Sequence, residues 1–166
     1  MSLILNKATF QNSLAALPLV SYQAGETVIA DGSRTGRLLI LSKGTVAIVK
    51  EGTEIAKVGE PGAVFGELSV LLDQPHAADV RAMETSEFHV ADASTLLTQN
   101  PVAVLYVATM LAHRLDGANR ALIQLKHQLL TGEPPNVVAK TVSKMEGFLI
   151  ASASLMYAGY PNDPYG

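Results

Sequence analysis

"FGELSVLLDQPHAADV", residues Phe65 to Val80, sets a glycine, a carboxylate, a short apolar run, a proline and two alanines within a region that otherwise reads as β-structure. Gly66 permits close backbone approach, and the "ELSVLL" that follows is long enough for one or two helical turns. The first N–H groups of such a turn have no partner inside it and suit an anion, and Glu67 is favoured there by the helix dipole. A carboxylate in that position can accept hydrogen bonds from sugar hydroxyls. Pro75 ends the segment, and Ala77 and Ala78 leave room beside the backbone. The same residues also describe a tight β-to-β connection with small side chains for packing, since a single glycine-marked anion loop is a weak signal. On these residues alone both readings stay open.

The flanks are β-like. From Val20 to Val90 short runs such as "ETVIADG", "RLLILSKG", "TVAIVKEG", "DVRAM" and "EFHVAD" alternate with glycine-marked turns, the pattern of an all-β barrel or sandwich. Val46, Ala47 and Ile48 make one strand apolar on both faces near its middle. Upstream, residues 8–16 read as a short helix with Phe10, Leu14 and Ala15 on one face. Downstream, Asp92 or Ser94 caps a short helix, and Asn100 with Pro101 opens a long one that ends at Gly132. Within it Ala108, Leu111, Leu115, Ala118, Leu122, Leu125 and Leu129 recur at steps of three and four, an a/d seam of about three heptads. At roughly 45 Å such a helix is longer than a small barrel can cover. A second subunit is the simplest partner, so a homodimer through residues 108–129 is expected. After the Pro/Gly linker at 132–136, Val138, Val142, Met145, Leu149 and Met156 mark a short amphipathic helix, followed by a turn-rich tail expected to be flexible.

Taken together, strand, Phe-Gly-Glu-Leu, short apolar helix, Pro, then Ala-Ala-x-Val resembles the phosphate-binding cassette of the cyclic-nucleotide-binding domain family, of the catabolite activator protein and protein kinase A regulatory subunit type. "YQAGETVIADGSRTGRLLILSKGTVAIV", with Gly25, Gly32 and Gly44 at its turns, resembles that family's opening strands. The resemblance covers roughly residues 8–130. It implies an α+β, mainly β fold: a double-stranded β-helix, or jelly-roll-like β-roll, over about 18–91. A short N-terminal helix, a cassette helix and a long C-terminal dimerisation helix over about 101–131 complete a domain of residues 1–131, with 132–166 as linker, helix and tail. It also implies a ligand, cAMP or cGMP. The backbone of Gly66, Leu68 and Ser69 would lie against the cyclic phosphate, Glu67 would hold the ribose 2′-hydroxyl, and Ala77 and Ala78 would close the phosphate site.

One position departs from the family pattern. The residue after Pro75 is usually an arginine that pairs with the phosphate, and here it is His76. Arginine is permanently charged and offers a planar fork of donors, whereas histidine with a reference pKa near ~6.5 is mostly neutral at neutral pH. Three readings of His76 follow: a solvated loop histidine in a pocket that has lost its ligand, a retuned phosphate partner, or a metal or haem ligand. Asp79 either opposes an anion or lies at the rim of the site.

The remaining features narrow the function classes. The chain has 166 residues, 48% hydrophobic and 16% charged, with no cysteine, which excludes disulfides, thiolate metal sites and cysteine nucleophiles. A formal net charge of −3 gives no bulk attraction for nucleic acid or an anionic membrane. The segment after Gly132 carries only Lys140 and Lys144 as basic residues, so no DNA binding is expected of it. His89, His113 and His127 read as structural or surface residues, and Arg120 as a solvated side chain. No nucleophile, metalloprotease, Walker or dinucleotide motif is present, so no catalytic residue, metal or cofactor is expected. Neither the N-terminus nor the run Phe148–Gly159 has the form of a signal or membrane span, and a cytoplasmic location is the default expectation. Two functions are therefore open: a non-catalytic signalling module that binds a cyclic nucleotide or a related phosphorylated ligand, or a dimeric β-roll scaffold that no longer binds one.

Overall fold

The structure, a computed structural model, describes residues 7–150; Met156 and the turn-rich end of the expected tail lie outside them. Eight strands follow a short helix α1 (Lys7–Leu14): β1 (Leu19–Tyr22), β2 (Thr27–Ile29), β3 (Arg37–Lys43), β4 (Val46–Lys50), β5 (Thr53–Val58), β6 (Val64–Phe65), β7 (Asp79–Ala82) and β8 (Ser86–Asp92). A five-residue helix α2 (Glu67–Leu71) interrupts them between β6 and β7, and α3 (Ala93–Gln99), α4 (Pro101–Thr131) and α5 (Pro135–Ile150) complete the chain. The strands form two four-stranded sheets, ordered β1-β8-β3-β6 and β2-β7-β4-β5, and every pairing is antiparallel. This is the β-roll that the cassette resemblance implies.

The sequence of β3, "RLLILSK", explains why the roll needs helices against it. Leu39 and Leu41 point into the roll, among Ile29, Val46, Ile48, Val58, Phe65 and Phe88. Leu38 and Ile40 point the other way, into a second core with Phe10, Leu14, Tyr106, Val107 and Met110. A strand apolar on both faces is stable only when both are covered, and α1, α3 and α4 supply the outer cover. The Tyr106 ring stacks on Phe10 with centroids 3.7 Å apart, and its hydroxyl donates to the Gly62 carbonyl at 3.0 Å, fixing α4 to the roll. Ala15, expected to share the face of Phe10 and Leu14, is exposed, because α1 ends at Leu14.

Both helix starts are capped as their sequences specify. The Asp92 carboxylate accepts from the Thr95 N–H at 2.8 Å, and the Asn100 side chain accepts from the Ala103 N–H at 3.1 Å with Pro101 in the first turn. The buried stripe of α4, however, is not the leucine seam. It runs through Ala103, Val107, Met110, Arg114, Gly117 and Ala121, while Leu115, Leu122 and Leu129 are exposed. Ala118 belongs to the buried side, where α5 folds back along α4 and also reaches β5.

Candidate functional site

All seven residues that the cassette resemblance singles out, Gly66, Glu67, Leu68, Ser69, His76, Ala77 and Ala78, line one cavity of about 300 Å³. That is at the small end of the usual range for ligand pockets. Its floor and far wall are apolar, formed by Ile29, Ile48, Ile55, Phe65 and Val80 from both sheets. Its polar side is the cassette, joined by Arg114 from α4.

Gly66 is required here on two counts. It stands at φ +94, a conformation L side chains rarely adopt, and a Cβ added to it would sit 2.5 Å from the Arg37 carbonyl oxygen. The β3 backbone therefore lies directly against the start of α2. Ser69 closes the other end: its hydroxyl donates to the Gln74 carbonyl at 2.6 Å, and its own carbonyl accepts from the Gln74 N–H at 3.0 Å. The Ser69 hydroxyl proton is thus spent on the loop, so its oxygen can only accept from a ligand.

His76 is buried, at 7% exposure, which overturns its reading as a solvated loop residue. Two backbone hydrogen bonds hold it, from its N–H to the Ser33 carbonyl at 2.9 Å and from the Gly32 N–H to its own carbonyl at 2.8 Å. Its Nε2 lies 3.0 Å from the Thr35 hydroxyl oxygen, which also accepts from the Arg37 N–H, and its Cε1 packs over Gly66. Burial lowers the His76 pKa below its ordinary value, and the nearby negative charge of Glu67 opposes that only in part. A neutral ring can accept from the Thr35 hydroxyl, and a protonated one can donate to it, so this seat suits both forms. Among the described residues no group of three or more His, Asp or Glu side chains gathers as a metal site.

Asp79 lies at the rim rather than opposing the cavity. Its carboxylate accepts from the Asp31 N–H at 2.7 Å and pairs with Arg81 at 2.7 Å, and these two interactions hold its pKa below the usual carboxylate value. Lys50, at the cavity edge, pairs with Asp31 at 3.2 Å. Asp73 is tied to Arg34 across the cassette loop at 3.0 Å. His113 and His127 are exposed on α4, and Arg120 pairs with Asp116 on the same helix.

The residue that sequence reasoning missed is Arg114. Its Nη1 donates to the Glu67 Oε1 in a buried ion pair, and its Nε donates to the Phe148 carbonyl of α5 at 3.2 Å. The signal was present: an arginine standing on the stripe of Met110, Gly117 and Ala121 has to be buried if that stripe is. Following the leucines instead hid it, because they mark a neighbouring face of the same helix. Among the described residues no single helix is long and apolar enough to cross a membrane.

Comparison with known proteins agrees with this geometry. An uncharacterized ABC transporter ATP-binding protein of Mycobacterium tuberculosis is 31% identical over 118 residues, which make up 69% of this chain and 31% of that protein. The cAMP-dependent protein kinase regulatory subunit of Aspergillus niger is 38% identical over 68 residues, 40% of this chain and 16% of the subunit. The chain thus spans about a third or less of the length of these curated relatives. In fold it is similar to the catabolite activator protein of Thermus thermophilus, with a TM-score of 0.57 at 21% identity, covering 89% of this chain and 81% of that one. Residues 19–99, from β1 to the end of α3, match the family model of the cyclic nucleotide-binding domain, and this region of the chain belongs to that family.

Proposed function

We propose that the chain is a non-catalytic regulatory module that binds cAMP or cGMP in the Gly66–Val80 cassette. The observation that carries this reading is the convergence of all seven cassette residues on one cavity that is apolar on one side and polar on the other. An apolar wall suits the flat base. The backbone at the start of α2 together with His76 suits the cyclic phosphate, and the Glu67 carboxylate suits the ribose 2′-hydroxyl.

The histidine makes this binding pH-dependent, with a definite sign. In the free protein burial keeps the His76 pKa below its ordinary value, so near neutral pH the ring is uncharged. A bound phosphate favours the charged ring and raises that pKa, so binding takes up a proton. Affinity therefore increases as pH falls through the bound-state pKa and levels off below the free-state one.

Thermal unfolding with cAMP, cGMP and non-cyclic control nucleotides at pH 6 and pH 8 tests both statements. A specific cyclic nucleotide at ~100 times its dissociation constant is expected to add about 2.7 kcal/mol of stability, with tighter binding at pH 6. His76→Arg supplies a permanent charge-assisted pair, so it is expected to bind roughly ten- to a hundred-fold tighter and to lose the pH dependence. Absence of a shift for every cyclic nucleotide at both pH values overturns the reading and leaves the β-roll as a scaffold.

The same proposal includes pairing of two chains through residues 108–129. Leu115, Leu122 and Leu129 recur every seven residues and are 61%, 53% and 63% exposed, a ridge suited to the same ridge of a second copy. Sedimentation of Leu115→Asp/Leu122→Asp is expected to show half the mass of the parent protein, and an unchanged mass rules the pairing out.

A further inference from the structure

The loop between β2 and β3 seats His76 by backbone and side chain together. Gly32 and Ser33 take its backbone groups, and the Thr35 hydroxyl oxygen stands 3.0 Å from Nε2. The Cε1 atom, between the two ring nitrogens, lies over Gly66, so with Nε2 turned to Thr35 the Nδ1 atom is the one left to the cavity that His76 lines. Nδ1 makes no hydrogen bond among the described residues, although the residue is only 7% exposed. A buried ring thus presents one unpartnered nitrogen to a ligand.

Which nitrogen of a neutral imidazole carries the proton is set by the hydrogen bond that the other makes. A threonine hydroxyl has one proton and two lone pairs. The Arg37 N–H donates to the Thr35 oxygen at 3.3 Å and occupies one lone pair, which leaves the hydroxyl proton for Nε2. With Nε2 accepting, the ring proton stands on Nδ1. The Glu67 carboxylate favours the same form: it acts on the ring from α2, and a bare nitrogen lone pair near a negative charge is repelled where an N–H is attracted. The other charged groups on the cavity lining are already engaged, Arg114 of α4 with Glu67 and Lys50 of β4 with Asp31. An anion entering the cavity therefore depends on neutral donors, and the Nδ1–H of His76 is one.

We propose that Thr35 is a positioning residue that fixes neutral His76 with its proton on Nδ1, so that the ring donates a hydrogen bond to the ligand's phosphate without first taking up a proton. The proposal rests on the assignment of the cavity to a cyclic nucleotide. It gives the cassette two donor states. Below the bound-state pKa the charged ring holds the phosphate tightly, and above it the neutral ring fixed by Thr35 still contributes one hydrogen bond. Affinity at high pH then levels off at a finite value, where a ring with a bare Nδ1 would repel the phosphate.

Two measurements on the full chain test this. The first needs no ligand: nitrogen chemical shifts of the imidazole rings are read at pH 8, with the His76 signals identified by their loss in His76→Gln. The parent protein and Thr35→Ser are expected to show a protonated Nδ1 and an unprotonated Nε2. Thr35→Val, which keeps the shape without the hydroxyl, is expected to shift the ring toward the Nε2–H form that imidazole side chains favour in water. A parent ring protonated on Nε2, or a Thr35→Val ring unchanged from the parent, overturns the proposal. In the second, binding of cAMP and cGMP is compared at pH 6 and pH 8. Thr35→Val is expected to weaken it about tenfold at pH 8, the effect of spoiling one hydrogen bond to a charged group, and less at pH 6, where the charged ring carries protons on both nitrogens. Equal weakening at both pH values, which a merely structural role of Thr35 would give, overturns the proposal, as does no weakening at pH 8. Absence of binding by the parent protein overturns the ligand assignment and with it the donor's role, while the nitrogen shifts still decide the tautomer.

Discussion

Arg114→Ala is expected to lower the unfolding free energy by about 3 kcal/mol, because breaking a buried ion pair from one side leaves the other charge enclosed without compensation. Glu67 is the charge left behind, at 5% exposure, and the Phe148 carbonyl loses its donor in the same step. For a chain of this size the loss corresponds to a melting temperature lower by about 10 °C. Replacing both partners, Arg114→Met with Glu67→Leu, is expected to be within about 1 kcal/mol of the parent, since well-packed apolar groups substitute for a buried pair at little cost. Urea unfolding of the single and double variants measures the difference. A single-variant loss below about 1 kcal/mol, the range of exposed ion pairs, would show that water reaches the pair.

Gly66→Ala is the second large effect, expected at about 3 kcal/mol together with loss of nucleotide binding. Two penalties combine: the positive φ costs an L residue about 1–2 kcal/mol, and the new methyl meets the Arg37 carbonyl. Relief requires moving either α2 or β3, and β3 is held on both sides by β8 and β6. Gly25→Ala and Gly32→Ala separate the penalties, since both stand at positive φ with open space where the methyl would go. They are expected to cost about 1 kcal/mol each. Equal losses at all three sites would show that the contact with β3 adds nothing.

What was legible in the sequence is what local chemistry encodes. The glycine-marked turns and alternating strands marked a barrel or sandwich, the cassette resemblance specified the roll, Asp92, Asn100 and Pro101 marked the helix starts, and the order of residues from Phe65 to Val80 located the cavity. What was not legible depends on groups far apart in the chain. The burial of His76 comes from backbone hydrogen bonds to residues 32 and 33, and the fate of Asp79 from the N–H of Asp31 and the Arg81 beside it. The Arg114 pair joins residues 47 positions apart. On α4 two apolar stripes share one helix, and periodicity alone favours the one with larger side chains. The stripe that packs against α5 is built from glycine and alanine, which carry little hydrophobic signal yet allow the closest approach.

The right-angled departure of α4 from α3 adds a mechanical property to the domain. The two helices meet at 104°, with the capped Asn100 between them. At 1.5 Å per residue, Arg114 stands about 21 Å along α4 from that corner and Thr131 about 46 Å. Tyr106, within two turns of that corner, is tied to the Gly62 carbonyl, so the corner and this tie together fix the direction in which α4 carries Arg114 to the cassette and its tip away from the roll.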